Sequence, residues 1–178
     1  PWQTGGLPVE IGGVVSNHGD LRGLTERHDV AFHYFPVDDQ GRDAQEAAIL
    51  RLIDDTQSEW LVLARYMQRL SPGHAKALEG RCINIHHGFL PGFRGARPYH
   101  QAHMRGVKLI GATAHFVTEE LDEGPIIEQE VERVEHRAGV EGLFRIGRGI
   151  QAQGLARAVG WLGERRVLLN GGKTVVFR

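Results

Sequence analysis

Two polar side chains, Asn84 and His86, stand two residues apart in an apolar run at 82–86. Residues i and i+2 of a β-strand point to the same face of the sheet, so both side chains can contact one ligand. An Asn amide N–H can stabilise an oxyanion, and a His can donate to the same oxygen or move a proton. The spacing alone fits equally well a polar pair that only satisfies backbone groups of the following loop.

A second candidate is the acidic segment EELDEGP at 119–125. Most of its carboxylates are better interpreted as solvent-exposed side chains of a turn between two strands. One of them could instead fold back toward His86, orient its ring and raise its pKa. The spacing does not identify which one.

Several histidines have a spacing that could bind a metal ion. His100 and His103 lie three residues apart on a predicted helix, and His87 and His115 could add ligands. No third ligand has a recognisable spacing, so a metal site is disfavoured. The sequence also lacks a glycine-rich phosphate loop and a G-x-S-x-G nucleophile motif, and Cys82 lies in a predicted buried strand, where a nucleophile is not expected.

Strands and helices alternate along the chain and must position these side chains. Strand patterns lie at 9–16, 30–35, 60–64, 82–86, 109–118, 126–134, 167–169 and 174–177. Helical patterns lie at 21–28, 43–57, 71–80, 98–105 and 138–165. The alternation predicts one α/β domain with a mostly parallel sheet flanked by helices. Ligands of such sheets bind beyond the carboxyl ends of the strands, where Asn84 and His86 are found.

Composition narrows the class of protein. The 178 residues are 41% hydrophobic and 24% charged, with a net charge of −1, which gives no electrostatic reason to expect nucleic acid or a membrane as partner. The single cysteine excludes an internal disulfide and fits a reducing compartment. No apolar run reaches the roughly 20 residues of a membrane span. We therefore expect a cytoplasmic protein.

Longer motifs resemble a known family. The run NIHHGFLPGFRGARPYHQA at 84–102 resembles the formyltransferase family of folate enzymes, and so does GATAHFV at 111–117 continuing into LDEGPII at 121–127. The resemblance extends from about residue 7 to 177. The doubled His86-His87, Phe89 and the PYHQ at 98–101 resemble the hydrolytic branch, since other branches usually have His-Pro at 86–87.

The resemblance implies a Rossmann-like fold and assigns roles to residues. It implies a catalytic triad of Asn84, His86 and Asp122, which selects one carboxylate from the acidic segment. Two segments are similar to the family's folate-binding walls. Their implied substrate-binding residues are Arg65, Tyr66, Met67, Gln68 and Leu70 in the first, and Val117, Thr118 and Glu120 in the second.

The implied activity is hydrolysis of 10-formyltetrahydrofolate to formate and tetrahydrofolate, which would supply formate and balance one-carbon pools for purine synthesis. No metal or cofactor is required for this reaction. Two alternatives stay open: transfer of the formyl group to an amine acceptor such as glycinamide ribonucleotide, and folate binding without catalysis. The expected partner is a small folate, and formation of a homo-oligomer is left open.

The family pattern also sets an expectation for domain organisation. Hydrolytic members carry an N-terminal ligand-sensing domain of the ACT type, and their catalytic domain opens with a strand and a helix before the point that matches Trp2-Gln3. We therefore expect residues 1–178 to be a formyltransferase-type catalytic domain without the ACT-type domain and without that first strand and helix.

Overall fold

The computed structural model describes residues 6–36, 41–92 and 97–178. Trp2-Gln3 and residues 93–96 of the run at 84–102 lie outside the described residues. The chain divides into two compact units, one formed by Glu10–Leu61 and the other by Pro1–Val9 with Val62–Arg178. The candidate site residues all belong to the second unit.

The Glu10–Leu61 unit contains two short parallel strands and two helices. They are β1 (Val14–Ser16), α1 (Arg22–Glu26), β2 (Phe32–Tyr34) and α2 (Gly41–Asp55). The strand predicted at 9–16 forms only over its last three residues, because the Gly12-Gly13 pair before them weakens the strand. Leu21 occupies the N-cap of α1, and no side chain caps that helix.

The second unit is organised around a four-stranded sheet with the order β3-β4-β5-β6. Its strands are β3 (Leu61–Leu63), β4 (Cys82–His86), β5 (Leu109–Phe116) and β6 (Ile126–Arg133). Between them lie α3 (Pro72–Ala77), whose N-cap Ser71 accepts a hydrogen bond from the His74 N–H, and α4 (Pro98–Met104). The long helix α5 (Val140–Gly163) follows.

The α/β class with helices flanking the sheet is confirmed, but strand direction differs from the expectation in part. β1 and β2 pair in parallel, as expected. β4 with β5, and β5 with β6, pair antiparallel. For β5 and β6 the reason is connection length, since they are joined by a nine-residue loop at 117–125, too short for the helical crossover that a parallel pair requires.

Helix α5 covers one face of the sheet. Its Gly154 lies where a Cβ would be 3.9 Å from Ile85 Cδ1 on β4, so the helix approaches the strand closely. Arg157 of α5 forms ion pairs with Glu128 and Glu130 on β6. These contacts fix which residues of each strand face α5. Because side chains alternate along a strand, they also fix which residues occupy the opposite face of the sheet.

Two antiparallel strands after α5 form a hairpin. A tight turn connects β7 (Val167–Asn170) to β8 (Lys173–Val176), with Gly171 at φ +58°, a value that glycine adopts without strain. Among the described residues, no helix is long and apolar enough to cross a membrane.

The contact between α5 and α4 yields a stability prediction. A Cβ at Gly147 would lie 2.0 Å from the Tyr99 hydroxyl oxygen, and Tyr99 is buried. We expect Gly147→Ala to lower the free energy of unfolding by about 1–3 kcal/mol through overpacking, measured by urea denaturation.

Gly149→Ala is the matched control on the same helix. No atom lies within 4 Å of a Cβ at Gly149, so this variant should gain up to about 1 kcal/mol from helix propensity. Equal effects of the two substitutions would contradict the packing argument.

Candidate active site

The pairing of β4 with β5 brings four polar side chains to one face of the sheet. Asn84 is opposite His115, and His86 is opposite Thr113. Side chains alternate between faces, so all four lie on the face away from α5. The predicted pair Asn84 and His86 is therefore joined by two partners from a strand about thirty residues later.

Thr113 holds the loop that follows His86. Its hydroxyl donates to the Gly88 carbonyl at 2.9 Å and accepts from the Leu90 N–H at 3.1 Å. Gln129 on β6 donates from Nε2 to the Leu90 carbonyl at 2.8 Å. The backbone beside His86 is thus fixed by buried hydrogen bonds to neighbouring strands.

Asp122 reaches back to His86 from the loop between β5 and β6. Its Oδ2 is 3.3 Å from His86 Nδ1, and both side chains are nearly fully buried. Asp122 has φ 57°, a left-handed conformation that Asp tolerates better than most residues. Two residues on, a Cβ at Gly124 would lie 1.7 Å from the Phe116 carbonyl oxygen, so the loop requires glycine there. The structure therefore brings Asn84, His86 and Asp122 together.

His115 is a fourth polar member that the sequence did not single out for this role. Its Nε2 is 3.3 Å from Asn84 Nδ2 and 3.8 Å from Asp122 Oδ1, and its Nδ1 is 2.8 Å from the Phe116 carbonyl. Burial lowers its pKa below the ordinary value of 6.5. The sequence suggested His115 only as a further metal ligand. The signal that could have found it is the antiparallel register, which was not predicted.

His87 lies beside His86 in a chain of ring contacts. Its ring stacks on the ring of His86, with the ring centroids 5.4 Å apart, and its centroid is 6.0 Å from that of Tyr99. Tyr99 in turn packs edge-on against Phe144 of α5. Burial lowers the pKa of His87, and the nearby His86 and Arg65 charges lower it further against an opposing effect of Asp122. His87 is therefore a mainly neutral ring that limits how His86 can turn.

The two segments expected to bind folate lie in the same unit as this cluster. The first follows β3, where Arg65 and Met67 are exposed, while Tyr66, Gln68 and Leu70 are half-buried. The second follows β5, where Val117 and Thr118 are half-buried and Glu120 is exposed. Arg69 Nη2 donates to the Glu119 carbonyl at 3.3 Å, which connects the two segments. Their role in substrate binding stays a prediction.

Cys82 does not have the properties of a nucleophile. It is fully buried at the start of β4, and burial raises the pKa of its thiol to about 12. At neutral pH the sulfur is therefore protonated and inaccessible. Within the described residues, no group of three or more His, Cys, Asp or Glu side chains is placed to hold a metal ion.

Comparison with known proteins identifies the family of this chain. Residues 2–159 match the formyl transferase family. The chain belongs to the formyl transferase family. Among curated relatives, it is 53% identical over 175 residues to formyltetrahydrofolate deformylase of Corynebacterium sp. and 52% identical over 176 residues to that of Bacillus subtilis. These alignments cover 98% and 99% of this chain but 61% and 59% of the relatives, so the chain spans about three fifths of their length.

Solved structures of the family have the same fold. A formyltetrahydrofolate deformylase from Pseudomonas syringae pv. tomato superposes with a TM-score of 0.95 at 50% identity, covering 99% of this chain and 59% of that chain. A glycinamide ribonucleotide transformylase from Symbiobacterium toebii gives a TM-score of 0.90 at 30% identity, covering 99% and 85%. The resemblance to the formyltransferase family and its fold is thereby confirmed.

The anchoring role of Thr113 can be tested directly. Thr113→Val keeps the side-chain shape but leaves the Leu90 N–H and the Gly88 carbonyl without their hydroxyl partner. We expect the free energy of unfolding to fall by about 1–3 kcal/mol and hydrogen exchange at the Leu90 amide to become faster.

Thr113→Ser is the control, because it keeps the hydroxyl. It should lose only about 1 kcal/mol for the missing methyl group and protect the Leu90 amide as the parent does. Equally fast exchange in both variants would show that the hydroxyl does not hold the loop.

Proposed function

We propose that this protein hydrolyses 10-formyltetrahydrofolate to formate and tetrahydrofolate. The observation that carries the proposal is the convergence of Asn84, His86 and Asp122 on one sheet face. Support also comes from the names of the relatives at 52–53% identity, which are formyltetrahydrofolate deformylases. In this role the enzyme supplies formate and balances one-carbon pools for purine synthesis.

The proposed chemistry begins with attack of water on the formyl carbon. A C–O bond forms and the formyl oxygen gains negative charge. An N–H of Asn84 and the ring of His86 stabilise that oxyanion, because preorganised donors at a site of developing charge lower the barrier most. Asp122 Oδ2 is 3.3 Å from His86 Nδ1 and orients the ring. The other ring nitrogen of His86, Nε2, is then the one that contacts the reacting groups.

The tetrahedral intermediate then breaks its C–N bond. The proton lost by the attacking water moves through His86 to the leaving nitrogen, which departs as the amine of tetrahydrofolate. The formyl carbon leaves as formic acid, which releases its remaining acidic proton to solvent and becomes formate. No metal or cofactor takes part, because the aryl-type nitrogen already activates the formyl amide. Arg65, Tyr66, Met67, Gln68, Leu70, Val117, Thr118 and Glu120 are the residues proposed to bind the folate.

His87 favours hydrolysis over formyl transfer to an amine. The His86-His87 pair follows the hydrolytic pattern, and the His87 ring occupies the space beside His86 through its stack at 5.4 Å. Residues 1–178 are proposed to act as a formyltransferase-type catalytic domain on a small folate. A cytoplasmic location and self-association stay predictions.

Formate release from 10-formyltetrahydrofolate, measured without an added acceptor on the full-length protein, tests the proposal. Asn84→Ala removes one oxyanion donor and should lower the rate about 100- to 1000-fold. His86→Ala should lower it at least as much, because it removes both a donor and the proton carrier.

Asn170→Ala is the matched control for Asn84→Ala. Asn170 is exposed in the β7–β8 turn, so its loss should leave the rate unchanged. A loss below tenfold in Asn84→Ala would overturn the role of Asn84. Tetrahydrofolate production that requires an added amine would instead identify a formyl transferase, and folate binding without turnover would identify a binding protein.

A further inference from the structure

His115 lies where its ring can orient the side-chain amide of Asn84. It is 2% exposed on β5, directly opposite Asn84 and on the same sheet face. The register between β5 and β6 shifts between Ala114 and His115, whereas the pairing of His115 with Asn84 on β4 stays regular. Neither nitrogen of its ring faces solvent, because each has a protein atom near it.

The partners of the ring define its tautomer. Nδ1 lies 2.8 Å from the Phe116 carbonyl oxygen, which can only accept, so Nδ1 carries the proton. In a neutral imidazole, Nε2 is then an acceptor. The atom facing Nε2 at 3.3 Å is the amide nitrogen of Asn84, which can only donate. The three groups therefore form one consistent chain of donors and acceptors.

We propose that His115 is a positioning residue: through Nε2, its neutral ring holds the Asn84 amide so that the second N–H of that amide points to the reacting oxygen. This inference rests on the proposed function, in which Asn84 supplies an oxyanion donor. Without an acceptor at Nε2, the Asn84 amide could rotate by half a turn and present its oxygen instead. An oxygen in that position would repel the developing charge rather than stabilise it.

Protonation of His115 would reverse the arrangement. Nε2 would become a donor facing another donor on Asn84, while Asp122 Oδ1 at 3.8 Å would attract the new N–H. Asp122 is the acidic group near this ring, and His86 on β4 is the basic one. Burial lowers the pKa of His115 and His86 lowers it further, against the opposing effects of the Phe116 hydrogen bond and Asp122. The working, neutral form therefore persists to a pH below 6.5 and is lost on further acidification.

The first experiment compares two variants of the full-length protein. His115→Gln keeps an acceptor near the position of Nε2 but does not titrate, so it should retain kcat near neutral pH within about tenfold. His115→Leu removes the acceptor and should lower kcat about 100-fold, the usual cost of a misplaced catalytic group, with KM unchanged. Loss of kcat to the same extent in both variants would overturn the proposal.

The pH dependence of kcat separates positioning from a structural role. In the parent protein, the acid limb should follow protonation of His115 and should therefore lie below the pH at which an ordinary histidine titrates, because burial lowers the pKa of this ring. In His115→Gln the acid limb should move to lower pH, because the titrating ring is gone. His136→Gln removes an exposed histidine and should leave the profile unchanged. An acid limb that stays in place in His115→Gln would contradict the proposal.

Nitrogen NMR of the histidine rings provides a readout that needs no activity. In the unliganded parent protein, His115 should show a proton on Nδ1 and none on Nε2 at pH 7 and above. A proton on Nε2 would overturn the proposal even if the variants failed to fold. The predicted tautomer in a protein that releases no formate would instead count against the proposed function and leave the placement of the amide standing.

Discussion

The register between β4 and β5 is the constraint on which the candidate site depends. Apolar Ile85 and Ala114 are opposite each other and occupy the face covered by α5, so Asn84, His86, Thr113 and His115 must occupy the other face. A slip of one residue would exchange the two faces and bury the polar groups against the helix. Packing of α5 therefore positions the chemistry without contacting it.

The buried Asp122 carboxylate requires polar or charged partners within the site. A buried carboxylate is costly unless hydrogen-bonded or paired, and here two imidazoles lie within 4 Å of it. The two rings are not equivalent, because His86 turns Nδ1 to Asp122, whereas His115 turns Nδ1 to a backbone carbonyl. The same carboxylate can therefore orient one ring while the other remains a neutral acceptor for Asn84.

Local patterns predicted the elements well, and long-range pairing poorly. The strand at 82–86 was predicted with its observed bounds, and the helix at 98–105 extended one residue beyond them, because apolar patterning and turn residues are local signals. The site residues were predicted with different success. Asn84 and His86 were found from a spacing of two. The carboxylate of Asp122 could be chosen only through the family resemblance. The role of His115 was missed, because its contact with Asn84 spans 31 residues and requires the antiparallel register.

In the proposed function, the surroundings of Asn84, His86 and Asp122, rather than these three residues themselves, must decide between hydrolysis and formyl transfer. A deformylase and a transformylase both superpose on this chain with TM-scores of at least 0.90, so the backbone that carries the triad does not distinguish them. Next to His86 this chain has the ring of His87, which contacts Tyr99. Tyr99 in turn accepts a hydrogen bond from Gln151 and fills the space left by Gly147. A continuous set of contacts therefore runs from Phe144 of α5 through Tyr99 and His87 to His86. In the proposed hydrolysis, these side chains are the ones that would have to exclude an amine acceptor from the space beside His86.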